Sequence, residues 1–125
     1  MSGNRYLLDT NAIIALLQRD LSLVELLQSA EWIGISVISQ LEFLAFSGLT
    51  ESDIRLFHQF LQQIEVLNLS SQDRSLIEQI ISIRQQYHFK LPDAIVAAMA
   101  KANSAKLVTR DVQLDRVVGL IIVNW

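Results

Sequence analysis

The chain has 125 residues, 51% of them apolar and only 18% charged, with one proline and no cysteine. That composition gives enough apolar material for one compact core and removes disulfides, thiolate metal sites and a cysteine nucleophile together. The net charge of −3 gives no strong electrostatic pull on nucleic acid as a sum, so the placement of charges matters more than their total.

Arg5 to Leu8 reads as a short buried strand, followed by the polar break Asp9-Thr10-Asn11. Ala12 to Gln18 is rich in helix formers, and Leu21 to Ala30 predicts a second helix with Ser22 as cap and Glu25 three residues on. Trp32 to Ile35 predicts a strand. Ser36 or Ser39 then caps a helix running to about Phe46, with Gly48 as its stop. Thr50, Glu51 and Ser52 open the next helix, whose apolar positions Ile54, Phe57, Leu61 and Ile64 keep helical spacing.

Glu65 to Leu69 alternates as a strand does. Ser71 opens a helix to about Tyr87, with Leu76, Ile80, Ile83 and Tyr87 on one face. Leu91-Pro92-Asp93 begins the most apolar helix, to about Lys101, with proline in its first turn. Lys106 to Val108 is a strand, Thr109-Arg110-Asp111 a polar break, Val112 to Val117 a short helix and Leu120 to Val123 a last strand. Strands alternating with helices predict an α/β domain over 1–125, with a mostly parallel sheet of about five strands covered on both faces. No repeat, linker or second domain is expected. No apolar run reaches the roughly 20 residues of a bilayer span, and no signal-peptide layout follows Arg5, so a cytoplasmic protein is expected.

Four acids lie among apolar neighbours: Asp9 in YLLDTNAII, Glu42 in SVISQLEFLAF, Asp93 in KLPDAIVAAMA and Asp111 in LVTRDVQL. Burying such an acid is unfavourable unless it is paired or holds a metal. Each has an ordinary alternative. Asp9 can cap a helix, Asp93 can favour a helix start, Asp111 can sit in a turn and Glu42 can lie on a solvated helix face. Taken together, two acids after strands and two on helices can meet beyond the carboxyl ends of a parallel sheet, where such folds bind ligands. A carboxylate cluster without cysteine or a histidine pair suits a hard cation, Mg²⁺ or Mn²⁺, which can activate water and stabilise phosphoryl transfer. Of 13 acids, four in a metal site would leave nine against 10 Lys and Arg, a near-neutral remainder. Six of those ten bases fall in the last third: Arg84, Lys90, Lys101, Lys106, Arg110 and Arg116.

The segments YLLDTNAIIALL, ISVISQLEFLAF, LPDAIVAAMAKANSAKLVTRD and LIIVNW span nearly the whole chain and resemble, in order, those of PIN domains, specifically the VapC toxins of prokaryotic toxin–antitoxin pairs. The resemblance implies a PIN-like three-layer α/β/α sandwich. It places the catalytic and metal-binding acids on Asp9, Glu42, Asp93 and Asp111, with one or two Mg²⁺ or Mn²⁺ ions. Thr10, Asn11, Ser39 and Thr109 match supporting polar positions, and Asp115 loosely matches a further acid of the family. The resemblance also implies cleavage of RNA of the tRNA or rRNA class, a small antitoxin that covers the site, and a homodimer. A PIN fold without catalysis, binding RNA or protein only, is the alternative.

Lys90 and Arg110 are the candidate RNA contacts, against ordinary roles as a helix-end and a surface cation. His58 and His88 have no metal-ligand partner at useful spacing and are expected to be structural or on the surface. Trp32, Phe43, Phe46, Phe57 and Phe60 are expected in the core or a dimer interface. A haloacid-dehalogenase-type phosphotransferase would need an acid where Asn11 stands. A receiver domain would need an acidic pair after the first strand and a lysine after the last.

Overall fold

The computed structural model describes residues 3–125. Its elements are β1 (Asn4–Leu8), α1 (Thr10–Leu17), α2 (Leu21–Gln28), β2 (Ala30–Ser36), α3 (Val37–Leu44), α4 (Glu51–Leu61), β3 (Glu65–Leu67), α5 (Arg74–Tyr87), α6 (Leu91–Ala102), β4 (Lys106–Val108), a 3-10 helix (Val112–Arg116) and β5 (Ile122–Val123). The five strands form one sheet in the order β3-β2-β1-β4-β5, and every pairing is parallel.

Alternation along the central strands divides the core in two. Leu7 and Leu107 point to the face covered by α5 and α6, among Leu76, Ile80, Ile83 and the buried stretch Ala94 to Ala100. Tyr6, Leu8, Ile35 and Val108 point to the opposite face, against Ile13 of α1, Leu23 and Leu27 of α2, Phe43 of α3 and Phe57 of α4. Phe43 and Phe57 meet with ring centroids 4.3 Å apart. Helices on both faces of a parallel sheet make the expected three-layer α/β/α sandwich. Strand order runs one way from β1 through β2 to β3, then restarts on the other side of β1 with β4. The crevice between the carboxyl ends of β1 and β4 is therefore the topological switch point, where open α/β sheets place their ligands.

Several local expectations are corrected. The cap of α2 is Asp20, not Ser22: its Oδ1 accepts the N–H groups of Ser22 and Leu23 at 3.1 and 3.3 Å. Arg19, at φ +62, turns the chain out of α1 so that Asp20 already stands in extended backbone. The cap of α5 is Asp73 rather than Ser71, its carboxylate accepting the Leu76 N–H at 3.1 Å. Between the two serines offered for α3, Ser36 is the cap, with Oγ accepting the Ile38 N–H at 3.0 Å. Helix α3 ends at Leu44, short of Phe46, while Gly48 at φ +85 lies in the following loop. Helix α4 opens with a reciprocal capping box, Thr50 with Asp53, and stops at Leu61 rather than Ile64. Trp32, Phe43, Phe57 and Phe60 pack in or against the two cores, but Phe46 is exposed.

Candidate active site

Asp9 follows β1 directly and caps α1. Its backbone N–H still pairs with Val108 O of β4 at 3.0 Å, which fixes the residue at the switch point. Its side chain accepts the Thr10 N–H at 2.9 Å through Oδ1 and the Thr109 hydroxyl at 2.8 Å through Oδ2. Those two donors favour the carboxylate, yet burial outweighs them and pushes the acid above its ordinary range. Glu42 and Asp111 push in the same direction as like charges.

Asp93 lies in the first turn of α6, where the helix dipole favours an anion. Burial again raises its carboxyl, and the charges of Asp111, Asp9 and Glu42 add to the rise, with Lys90 opposing them. Asp9 and Asp93 thus each feel the other three acids or two of them. The four carboxylates come from four separate elements and share one region at the carboxyl edge of the sheet. The exposed Glu42, in the last turn of α3, accepts the Thr10 hydroxyl at 2.7 Å. Asp111 caps the 3-10 helix, its Oδ1 accepting the Gln113 N–H at 3.1 Å.

Thr109 is the hub of this region. It is fully buried, and its hydroxyl serves Asp9, the Asp111 N–H at 3.0 Å and the Asn11 side-chain amide at 3.3 Å. Asn11 Oδ1 in turn accepts the Arg110 N–H at 3.4 Å. Ser39 is also fully buried, one turn before Glu42, and its hydroxyl has no partner among the described residues. Asp115 is exposed on the 3-10 helix and is not among the charges that perturb Asp9 or Asp93. Lys90, exposed at the N-cap of α6, stands close enough to Asp93 to favour its charged form. His58 and His88 are exposed.

Arg110 is engaged elsewhere. Its guanidinium lies 4.3 Å over the Trp125 ring, donates to Trp125 O at 3.2 Å and stands 3.8 Å from the Asp20 carboxylate. Neither Asp20 nor Trp125 stood out in the sequence as its partner. The only signal was the polar Gln18-Arg19-Asp20 break between two apolar runs.

Among the described residues the Arg110–Asp20 contact is the only ion pair, so none of the four acids has a Lys or Arg partner within 4.0 Å. Nor do three Asp, Glu or His side chains surround one point as ready ligands. Four carboxylates with hydroxyl supports are hard oxygen donors, and burial with like-charged neighbours holds the carboxyls of Asp9 and Asp93 above their ordinary range. Mg²⁺ fits such a set: it often keeps several waters and takes only one or two carboxylates directly.

The sequence model of the PIN domain family matches residues 6–120 of the chain. No curated protein sequence matches it. Among solved structures, a toxin–antitoxin complex from Klebsiella pneumoniae is 26% identical, with a TM-score of 0.78 over 94% of this chain and 95% of that one. VapBC2 from Rickettsia felis, bound to a DNA fragment from its promoter, is 25% identical, with a TM-score of 0.80 over 97% and 98%. FitAcB from Neisseria gonorrhoeae is 25% identical, with a TM-score of 0.71 over 95% and 96%.

Proposed function

The chain belongs to the PIN domain family, and on that premise we propose that it is a metal-dependent endoribonuclease, the toxin of a VapBC-type toxin–antitoxin pair. The observation that carries the reading is the gathering of four acids at the switch point, where Glu42 and Asp111 act as like charges on both Asp9 and Asp93 and no Lys or Arg lies within 4.0 Å of any of the four among the described residues. The toxin role draws on the Klebsiella and Rickettsia complexes, which resemble the chain over nearly its whole length. A cognate antitoxin, a homodimer, a cytoplasmic setting and RNA of the tRNA or rRNA class complete the proposal. No described helix is long and apolar enough to cross a membrane.

The four carboxylates would hold one or two Mg²⁺ or Mn²⁺ ions, which when bound would supply an activated water and charge stabilisation for cleavage of a phosphodiester. The chain's own residues do the positioning. Thr109 fixes Oδ2 of Asp9 and, through the Asp111 N–H, the start of the 3-10 helix. Thr10 fixes Glu42 from the adjoining helix, and Lys90 offers a cation beside Asp93 that can meet a backbone phosphate.

The purified protein is expected to cut single-stranded or looped RNA with Mg²⁺ or Mn²⁺, to stop in EDTA and to lose cleavage in Asp9→Asn and Asp93→Asn. Persistent activity in both variants would sink the assignment. One observation favours a second reading, a PIN fold that binds RNA or protein without cutting: no three acids are gathered as ready ligands among the described residues. RNA binding by the wild type without cleavage, at any concentration of either ion, selects that reading.

A further inference from the structure

We propose that a cavity at the edge of the sheet opposite the acidic cluster binds a phosphate group. Asp9 and Asp111 lie beyond the carboxyl ends of β1 and β4, whereas this cavity lies at the amino ends of the same two strands. It has a volume of about 450 Å³, the size of a small-ligand pocket. Its wall is formed by Asn4 and Arg5 of β1, Lys101 of α6, Ser104, Lys106 of β4 and Gly119, and it includes no acid.

Three partly buried cations, Arg5, Lys101 and Lys106, line one cavity that no acid lines, and a cleft walled by one sign of charge concentrates positive potential. None of the three has an acid within 4.0 Å among the described residues. Arg5 is partly satisfied, with Nε donating to Asn103 O at 3.0 Å and its guanidinium 4.4 Å over the Trp32 ring. Lys106 donates to Asn4 Oδ1 at 3.3 Å. Lys101 lies beside Gly119, where an added Cβ would stand 3.7 Å from its Nζ. Glu31, at the same edge, has its Oε2 taken by the Gly3 N–H at 2.6 Å.

The ordinary explanation for cations here is the carboxyl end of α6. It accounts for too little. The carbonyls of Met99, Ala100 and Lys101 are already taken by the N–H groups of Asn103, Ala105 and Ser104. The Asn103 side chain adds a second bond to Met99 O at 2.8 Å. A helix end favours a cation near it, but it does not require three around a cavity. A phosphate brings the negative charge that these side chains lack, with oxygens for the donor hydrogens that Arg5 and Lys106 do not already use.

Binding is measured by calorimetry with inorganic phosphate, pyrophosphate and a 12-nucleotide RNA, in EDTA so that the acidic cluster is without metal. The wild type is compared with the Lys101→Ala/Lys106→Ala double variant and with Ser104→Asp. The last puts a carboxylate on the exposed rim, at a left-handed position (φ +52) that aspartate tolerates, and does not disturb the lysines. Both variants are expected to weaken pyrophosphate by about tenfold or more, with circular dichroism unchanged; if the double variant fails to fold, Ser104→Asp decides. A loss confined to phosphate and pyrophosphate assigns the cavity to a free phosphate compound. A matching loss of RNA affinity, with a salt slope lower by about one to two, assigns it to an RNA backbone phosphate. Equal binding of all three ligands by wild type and folded variants, or no binding by the wild type, overturns the proposal.

Discussion

The Thr109 hydroxyl donates to Asp9 Oδ2 at 2.8 Å, joining residues 100 positions apart at the carboxyl ends of the neighbouring strands β1 and β4. The same oxygen accepts the Asp111 N–H and the Asn11 amide, so one buried hydroxyl sets the positions of two of the four acids. Replacing it with the isosteric Thr109→Val leaves Asp9 without its strongest supporting donor and leaves two polar groups short of an acceptor. Denaturant unfolding is expected to show a loss of about 1–3 kcal/mol, the range for orphaned buried polar groups. Because this hydrogen bond holds Asp9 toward its charged form, the acid limb of the pH–rate profile is also expected to move to higher pH. Thr109→Ser keeps the donor and is expected to restore most of both. A Thr109→Val variant with wild-type stability and profile would remove Thr109 from this role.

The like-charge cluster has a consequence for stability against pH. Asp9 and Asp93 both have folded-state pKa values above the ordinary 3.8, chiefly through burial. Above that ordinary value and up to their raised values, the folded chain binds more protons than the unfolded one. Without metal, these two acids therefore favour folding most below about pH 3.8 and progressively less as pH rises through the raised values. Asp93→Asn removes one such charge. The metal-free variant is expected to melt a few degrees higher than wild type at pH 7 (about 2–4 °C), a shift of about 0.5–1 kcal/mol for a chain of this size. The difference is expected to vanish near pH 3. Adding Mg²⁺ is expected to raise the wild-type melting temperature at pH 7 and not at pH 4, since protonated carboxyls bind a cation poorly. Melting curves across pH, with and without Mg²⁺, check all three. An Asp93→Asn protein less stable than wild type at pH 7 in EDTA contradicts the sign.

Thr10 offers a cleaner separation of activity from stability. It begins α1, and its hydroxyl reaches the exposed Glu42 on α3 at 2.7 Å. An exposed hydrogen bond adds little to folding, so Thr10→Val is expected to change stability by less than about 0.5 kcal/mol. Losing the anchor frees a flexible glutamate, and the expected cost is about tenfold in kcat, with KM for RNA little changed. Steady-state kinetics beside a melting curve make the test. A proportional fall in stability and kcat would mean that Thr10 acts through the fold.

The architecture was legible in the sequence because binary pattern and spacing dominate it. The alternation of strands with helices, Phe57 and Leu61 on the packed face of α4 and proline in the first turn of α6 all survive in the structure, whereas Ile64 packs from beyond the end of α4. Boundaries were less legible where two residues compete to cap one helix. Asp20 outcompetes Ser22 because of the turn at Arg19, a backbone feature that no residue type announces. At the candidate site, Asp9, Glu42, Asp93 and Asp111 were nameable from their apolar surroundings, and the structure adds the influence of the neighbouring acids on Asp9 and Asp93. The hub role of Thr109 was not legible in detail. It depends on β1 and β4 lying side by side, which follows from the strand order and not from local pattern. The pairing of Arg110 with Trp125 and Asp20 was hidden for the same reason: it joins three distant segments.

Arg116 gives the last prediction. Its guanidinium stands 5.8 Å from the Tyr87 ring and 5.7 Å from the Phe89 ring, which stack on each other at 5.5 Å. The Tyr87 hydroxyl also accepts the Val118 N–H at 3.1 Å. The aromatic pair flanks His88, the left-handed residue that ends α5, and precedes α6 and Asp93. Arg116 ends the 3-10 helix that Asp111 caps. The contact thus ties the segment before Asp93 to the segment after Asp111, and it sits outside the site itself. Arg116→Ala is expected to lower stability by about 0.5–1 kcal/mol, the range for a cation over an aromatic face at an accessible position. By loosening the spacing of the two acids, it is expected to lower kcat about threefold to tenfold and to raise the Mg²⁺ concentration needed for half-maximal rate. Arg116→Lys keeps the charge over the rings and is expected to recover part of each. A variant that loses the stability but keeps the wild-type Mg²⁺ dependence would confine Arg116 to packing.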